Sequence, residues 1–259
     1  VLVASWLIMV VVAGLLIHVC TRSIFFGDGM QLPRPLTEGR LVKRYKRFLA
    51  DVELAEGTVV TAHTPNTGSM QQCAVPGYKV LLSRSDNPQR KLAWSWELVQ
   101  VNGSWVDINT HRANRVVEEA LCSDQVAGLQ GYVVRPEFPY ADSRIDFMLE
   151  NQGEKVLLEV KNVTLCCEEK VACFPDAVTV RGQKHLRDLM TAVGEGWRSV
   201  IFFLVQRGEA QAFAPADHID PEYGGLLRQA HGRGVEVMVY RTIVNRQATC
   251  LGEPLKLFL

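Results

Sequence analysis

Ser143-Arg-Ile-Asp-Phe-Met-Leu-Glu-Asn-Gln-Gly-Glu-Lys-Val-Leu-Leu-Glu-Val-Lys161 is the stretch on which the reading of this chain turns. Asp146 sits inside one apolar run, a Gly-containing turn follows at Asn151 to Gly153, and a second run carries Glu159 and Lys161. Side chains two apart on a strand share a face, so Glu159 and Lys161 project together. A hairpin would bring Asp146 beside them. The second run is apolar enough, through Val156, Leu157, Leu158 and Val160, to be a central strand. A central strand carries charge at a cost unless the charges are partnered or used. Two carboxylates with a lysine nearby suit Mg²⁺ held against a phosphodiester. The competing reading of Glu-x-Lys alone is a solvated strand face.

Working outward, the 259 residues suffice for two domains. An apolar fraction of 47% with 22% charged residues is ordinary for a globular protein. The 28 basic and 28 acidic residues cancel, so any contact with nucleic acid must come from a local patch, not from bulk charge. Seven cysteines without a C-x-x-C pair suggest neither a disulfide framework nor a zinc site. Reduced cysteines in a cytoplasmic protein are expected.

Val1 to Cys20 carry no Asp, Glu, Lys or Arg. Three readings are open for this segment: a misplaced or non-ATG start, since the chain begins with Val; a membrane-spanning helix, for which about twenty apolar residues suffice; and a signal peptide, which lacks its usual basic region. Residues 1–29 are set apart as an N-terminal extension, and 21–39 read as linker.

Between Arg40 and Arg112, short apolar runs alternate with turns: Phe48 to Leu54, Thr58 to His63, Tyr78 to Ser83, Trp94 to Val101 and Trp105 to Asn109. Such a series predicts a small oligonucleotide-binding (OB) type barrel over 30–112. After a boundary at Thr110 to Ala113, the order becomes helix, three strands, helix, strand, helix, strand. That order predicts an α/β domain with a mixed sheet over 113–259, giving an α+β chain as a whole.

Arg40, Lys43, Arg44, Tyr45, Lys46, Arg47 and Phe48 interleave cations with aromatic rings, a pattern that fits phosphate contact with base stacking. The alternative packs Tyr45 and Phe48 into the barrel core. Arg84, Arg90 and Lys91 add a basic loop, and Trp94, Trp96 and Trp105 are expected in the core. His63 and Asn66 could line a small site, although Asn66 and Gly68 equally suit a tight turn.

An upstream helical Glu, Asp146 at a strand, Glu159-Val-Lys161, and Gln183-Lys184 on the next helix together resemble the PD-(D/E)xK nuclease fold. Longer motifs resemble the SfsA family, the sugar fermentation stimulation proteins: Arg44-Tyr-Lys-Arg-Phe-Leu-Ala-Asp51, Pro65-Asn-Thr-Gly-Ser-Met70, Ala113-Asn-Arg115, Phe174-Pro-Asp-Ala-Val178 and Arg181-Gly-Gln-Lys-His-Leu186. The likeness runs from about Met30 onward. It implies an OB-like domain joined to a nuclease-like domain, DNA binding without marked sequence preference, and a link to sugar, especially maltose, utilisation. It also implies site roles, with Ile145 standing where the nuclease motif has proline. Asp146, Glu159 and Glu119 would hold Mg²⁺, with Mn²⁺ as a substitute. Lys161 would position the attacking water or stabilise the developing charge, Gln183 and Lys184 would complete the candidate catalytic set, and Lys184 and Arg181 would hold the adjacent phosphate. DNA is the expected partner and RNA a further one. A membrane is a partner only if residues 1–20 are an anchor.

Overall fold

The computed structural model describes residues 29–259. The readings of Val1 to Cys20 lie outside them. Among the described residues no helix is long and apolar enough to cross a membrane.

The described residues begin with β1 (Met30–Gln31), then form β2 (Leu36–Tyr45), β3 (Leu49–Leu54), β4 (Val59–His63), β5 (Lys79–Arg84), β6 (Trp94–Val101) and β7 (Ser104–Asp107). These last six pair in the order β4-β3-β2-β5-β6-β7, and an added β4–β6 pairing closes the sheet on itself. Alternation along the strands turns Leu41, Ala50, Val52, Ala62, Val80, Leu82, Trp96 and Val99 inward, which fills the barrel. The tryptophans behave as expected: Trp96 is fully buried, and Trp94 and Trp105 pack against apolar clusters. The linker expected over 21–39 is corrected in its second part. β2 already begins at Leu36, where Leu-Thr-Glu-Gly-Arg continues the alternation. Met30–Gln31, expected with the barrel, instead pairs with the second domain's sheet.

That domain comprises α1 (Thr110–Cys122), β8 (Val133–Tyr140), β9 (Ser143–Asn151), β10 (Glu154–Val163), β11 (Leu165–Glu168), β12 (Val171–Phe174), α2 (Val180–Gly194), β13 (Arg198–Val205), β14 (Ala212–Pro215), α3 (Pro221–Gly232), β15 (Glu236–Val244), β16 (Ala248–Pro254) and β17 (Lys256–Leu257). Its main sheet runs β1-β16-β15-β13-β10-β9-β8. β10, β13 and β15 are parallel neighbours, and the flanking pairs are antiparallel, so the sheet is mixed. β10 is central and buried on both faces. Val156 and Leu158 pack under α1, while Leu157 and Val163 face α2 and α3.

A second sheet, β11-β12-β14-β17, extends the domain. Cys167 and Cys173 form a disulfide across its first hairpin, which corrects the expectation that the cysteines are all reduced. The register opposes Leu165 with Cys173, and an irregularity at Cys166 to Glu168 swings Cys167 toward it. Cys73, Cys122, Cys166 and Cys250 are free.

The domains are bound by direct polar contacts. Arg112 of α1 is buried, donates to both oxygens of Asp107 at 2.8 and 2.9 Å, and reaches Glu97 at 2.5 Å. Thr249 of β16 donates to the same Asp107 at 2.7 Å. Gln72 exchanges two bonds with the backbone of Cys166, at 2.7 and 2.9 Å. On the far side, Ser69 donates to the Asp176 carbonyl at 2.6 Å, and the Met70 N–H donates to the Asp176 carboxylate at 3.0 Å.

Candidate metal and nucleic-acid site

A cleft of about 1170 Å³ lies between the domains, lined by the β2–β3 turn, the 66–69 loop, α1, β9, β10 and the 174–181 segment. Its floor is where β9 and β10 part. Their ladder is regular from Glu154↔Asn151 to Leu158↔Phe147 and stops there. Beyond that point side chains replace the missing backbone bonds. The Val160 N–H donates to Asp146 Oδ2 at 2.8 Å, and the Asp146 N–H donates to Glu159 Oε2 at 3.3 Å. Buried strand N–H groups need partners, and here two carboxylates supply them.

Glu159 and Lys161 share a face as alternation requires, with Lys161 Nζ 2.6 Å from Glu159 Oε1. His185 Nδ1 contacts the same oxygen, and Arg181 Nε donates to His185 Nε2 at 3.3 Å. A donor on Nε2 leaves that nitrogen without a proton, so the neutral ring carries its proton on Nδ1 and gives it to Glu159. Asn114, one turn into α1, donates to Asp146 Oδ1 at 2.7 Å.

These partners drive the two acids apart. Burial, then the Glu159 charge, pushes the Asp146 carboxyl up to about 6. Burial would raise Glu159 as well, but the Lys161 charge and the His185 hydrogen bond outweigh it and hold that carboxyl at about 2. An oxygen-seeking cation between the two would relieve the repulsion that keeps Asp146 basic. Asp146 and Glu159 therefore fit as two donors of an Mg²⁺-type shell. Among the described residues no cluster of three or more His, Cys, Asp or Glu suited to a metal is present, so water and phosphate oxygens would have to supply the rest.

The other expected residues are dispersed. Glu118, not Glu119, lines the cleft, because Glu118 lies four residues after Asn114 and shares its helix face. Glu119 instead lies near enough to Cys250 for its charge to help raise that thiol. Gln183 is buried and donates to Asp220, the N-cap of α3, at 3.1 and 3.2 Å. Lys184 pairs with Ser143 and Asp188. Neither Gln183 nor Lys184 lines the cleft, whereas Arg181 does. Residues missed in the sequence are His185, Asn114 and Glu118.

Of the basic arm, Arg44 and Arg47 line the cleft. Arg44 is spent on structure: it donates to the carbonyls of Asn66, Gly68 and Ser69 at 2.9 to 3.1 Å. Lys46 and Arg47 form the left-handed β2–β3 turn, and Phe48 after them is 47% exposed, outside the barrel core. Tyr45 is half-buried and donates to Asp51 at 3.1 Å. Lys43 also pairs with Asp51, at 3.5 Å, and Arg40 donates to the Gly77 carbonyl. Arg84 lies over the Trp94 ring and Arg90 donates to Ser95. With Lys91, these two stand outside the cleft lining. Asn66 makes the expected turn, its Oδ1 accepting from the Gly68 N–H at 2.8 Å.

Two family profiles match along this architecture. The SfsA N-terminal OB domain covers 42–108, and the sugar fermentation stimulation protein RE domain covers 111–248. The chain belongs to the SfsA family. A sugar fermentation stimulation protein homolog of Syntrophotalea carbinolica is 63% identical over 230 residues, covering 89% of this chain and all of the relative. Another, from Geobacter metallireducens, is 55% identical over 233 residues at the same coverage. The solved structure of Pyrococcus furiosus SfsA in complex with Ca²⁺ superposes with a TM-score of 0.81 at 23% identity, covering 89% of this chain and 98% of that one. The SfsA fold, an OB-like barrel followed by a mixed-sheet domain, is thus shared.

Proposed function

We propose that this SfsA-family protein binds DNA without sequence preference in the interdomain cleft, using a divalent cation held by Asp146 and Glu159. The observation that carries the reading is an acidic pair on a cleft floor with Lys161 beside Glu159. The cleft lining also brings Arg47, Arg115 and Arg181 within reach of a phosphate path, interspersed with Glu118, Glu137 and Asp176. Bare carboxylates repel a phosphodiester, and a cation between them turns repulsion into attachment. The Pyrococcus relative was solved with Ca²⁺, which agrees with an oxygen-ligated cation in such a protein. The first turn of α2, with Thr179, Val180 and Arg181 on the cleft, adds the positive end of a helix to the phosphate path. A DNA partner would agree with a cytoplasmic location, and DNA binding would be a route to the sugar fermentation stimulation after which the family is named.

A second reading is Mg²⁺-dependent hydrolysis of DNA or RNA, with Mn²⁺ as substitute. It is favoured by Lys161, whose ammonium stands 2.6 Å from a candidate metal ligand and lines the same cleft. Bound Mg²⁺ would offset phosphate charge and acidify a water. Lys161 would orient that water or meet charge growing on the phosphate. His185 would keep Glu159 turned to the floor, and Arg181 would hold the neighbouring phosphate.

Fluorescence polarisation with labelled DNA in Ca²⁺ tests the binding. Affinity should fall steeply with added salt and depend on Arg47 and Arg181; a flat salt response would remove the proposal. Incubation with Mg²⁺ or Mn²⁺ tests hydrolysis. Cleavage that persists unchanged in Asp146→Asn or Lys161→Ala would belong to a contaminant.

A further inference from the structure

Resting on DNA binding in this cleft, we infer that the strand taken to Asp146 and Glu159 is unpaired: the substrate is single-stranded DNA, or a frayed or flapped end of a duplex.

Three observations carry this. The first is depth. Glu159 is only 3% exposed, His185 is sunk as deeply beside it, and Lys161 is partly buried above them. A phosphate must descend between the domains to meet the acidic pair. The second is enclosure. The lining comes from both domains, from Arg47 and the 66–69 loop on the barrel side and from α1, β10 and the 174–181 segment on the other. The domains cannot simply part to admit a duplex. The Ser69 and Met70 bonds to Asp176 tie the walls on one side, and the Gln72–Cys166 bonds and the Arg112–Asp107 pair tie them on others.

The third observation is the chemistry of the rim. Val178 and Val180 line the cleft yet are 67% and 73% exposed, beside Arg181. On the barrel side, exposed Phe48 follows Arg47. Two exposed valines beside Arg181 find no apolar partner on the phosphate backbone that a duplex would present to a cleft rim. An unpaired strand offers both parts at once: phosphates for Arg47 and Arg181, and apolar base faces for Val178, Val180 and Phe48.

The experiment compares a labelled 15-nucleotide oligo-dT, a 15-base-pair duplex, and that duplex with a six-nucleotide overhang, all in Ca²⁺ at fixed salt. The single strand and the overhang should bind at least tenfold more tightly than the blunt duplex. The Val178→Ser/Val180→Ser variant should lose most of that advantage, the single strand and the overhang falling toward the affinity of the blunt duplex measured with the same variant. Blunt duplex binding as tight as single strand, with Arg47 and Arg181 still required, overturns this inference and leaves DNA binding in the cleft standing. No salt-sensitive binding to any of the three removes both. A preference for single strand that is untouched by the double valine variant, by Phe48→Ser and by Arg181→Ala also overturns it, because the selection would then lie outside this cleft.

Discussion

Asp146 and Glu159 each stand in for a missing rung of their own sheet: the carboxylate of one accepts the Val160 N–H beside the other, and the carboxylate of the second accepts the N–H of the first. The parting of β9 and β10 that exposes these acids is therefore stabilised by the acids themselves. Charge that serves a cation also holds the backbone, so substitutions here act on both.

The raised Asp146 carboxyl has a stability cost. Its ordinary value lies near 3.8, and in the fold it is held at about 6. A group raised in this way favours the folded state below pH 4, and that contribution is lost as pH rises through 6. At neutral pH the ionised form costs on the order of 3 kcal/mol. Asp146→Asn keeps the shape, with Asn114 free to flip and accept from the new amide. The cation-free variant should gain about 1–3 kcal/mol over the parent at pH 7.5 in urea denaturation, and the gain should vanish below pH 4. A loss of stability at pH 7.5 would contradict this account.

Cation affinity should follow the same carboxyl. Glu159, held at about 2, stays ionised throughout the accessible range, so a proton competes for the site only at Asp146. Titration calorimetry with Mn²⁺ should find affinity roughly tenfold weaker at pH 5 than at pH 7.5. A pH-independent affinity would place the cation elsewhere.

Lys161→Met leaves Glu159 buried with only His185 on its inner oxygen. Breaking one member of a buried pair costs about 3–5 kcal/mol, and the urea midpoint at pH 7 should fall accordingly. Glu159 is depressed, so its contribution is present above about 4.5 and lost as pH falls toward 2. The gap between variant and parent should narrow over that window. Glu159→Gln/Lys161→Met, which removes both charges, should be less destabilised than Lys161→Met alone.

A side chain at Gly68 would strike the domain bridge. A Cβ there would lie 2.8 Å from Asp176 Oδ2 and 3.0 Å from Asn66 Oδ1. Gly68→Ala must push Asp176 off the Met70 N–H or break the Asn66 turn. A cost of about 1–3 kcal/mol is expected, with faster hydrogen exchange at 66–70 and 174–178 and little change in the main sheet.

The main features of fold and site were legible where periodicity carries information. The five expected barrel strands begin and end within a residue or two of those found, because turns such as Pro76-Gly77 and Asn102-Gly103 punctuate the apolar runs. Glu159-Val-Lys161 was legible by parity alone. Glu118 against Glu119 was not decided by the motif, since adjacent residues differ by about 100° around a helix. The needed signal was Asn114, whose face Glu118 shares. His185 was hidden because its value depends on Arg181 and Glu159 arriving from different directions. The β11-β12-β14-β17 sheet escaped notice because its strands have four residues or fewer, too short for alternation to show.

The placement of Met30–Gln31 on β16 makes the barrel an excursion from the second domain, not a bead threaded before it. The polypeptide leaves the larger sheet at β1, builds the barrel, and returns through α1 to the same sheet. Both tethers are thus anchored on one platform, and swivelling about a single joint is denied to the barrel. Cutting at residue 112 would strip the larger domain of an edge strand and bare the backbone of Ala248 and Thr249 to unwanted pairing. The two halves are better dissected by point substitution than by scission.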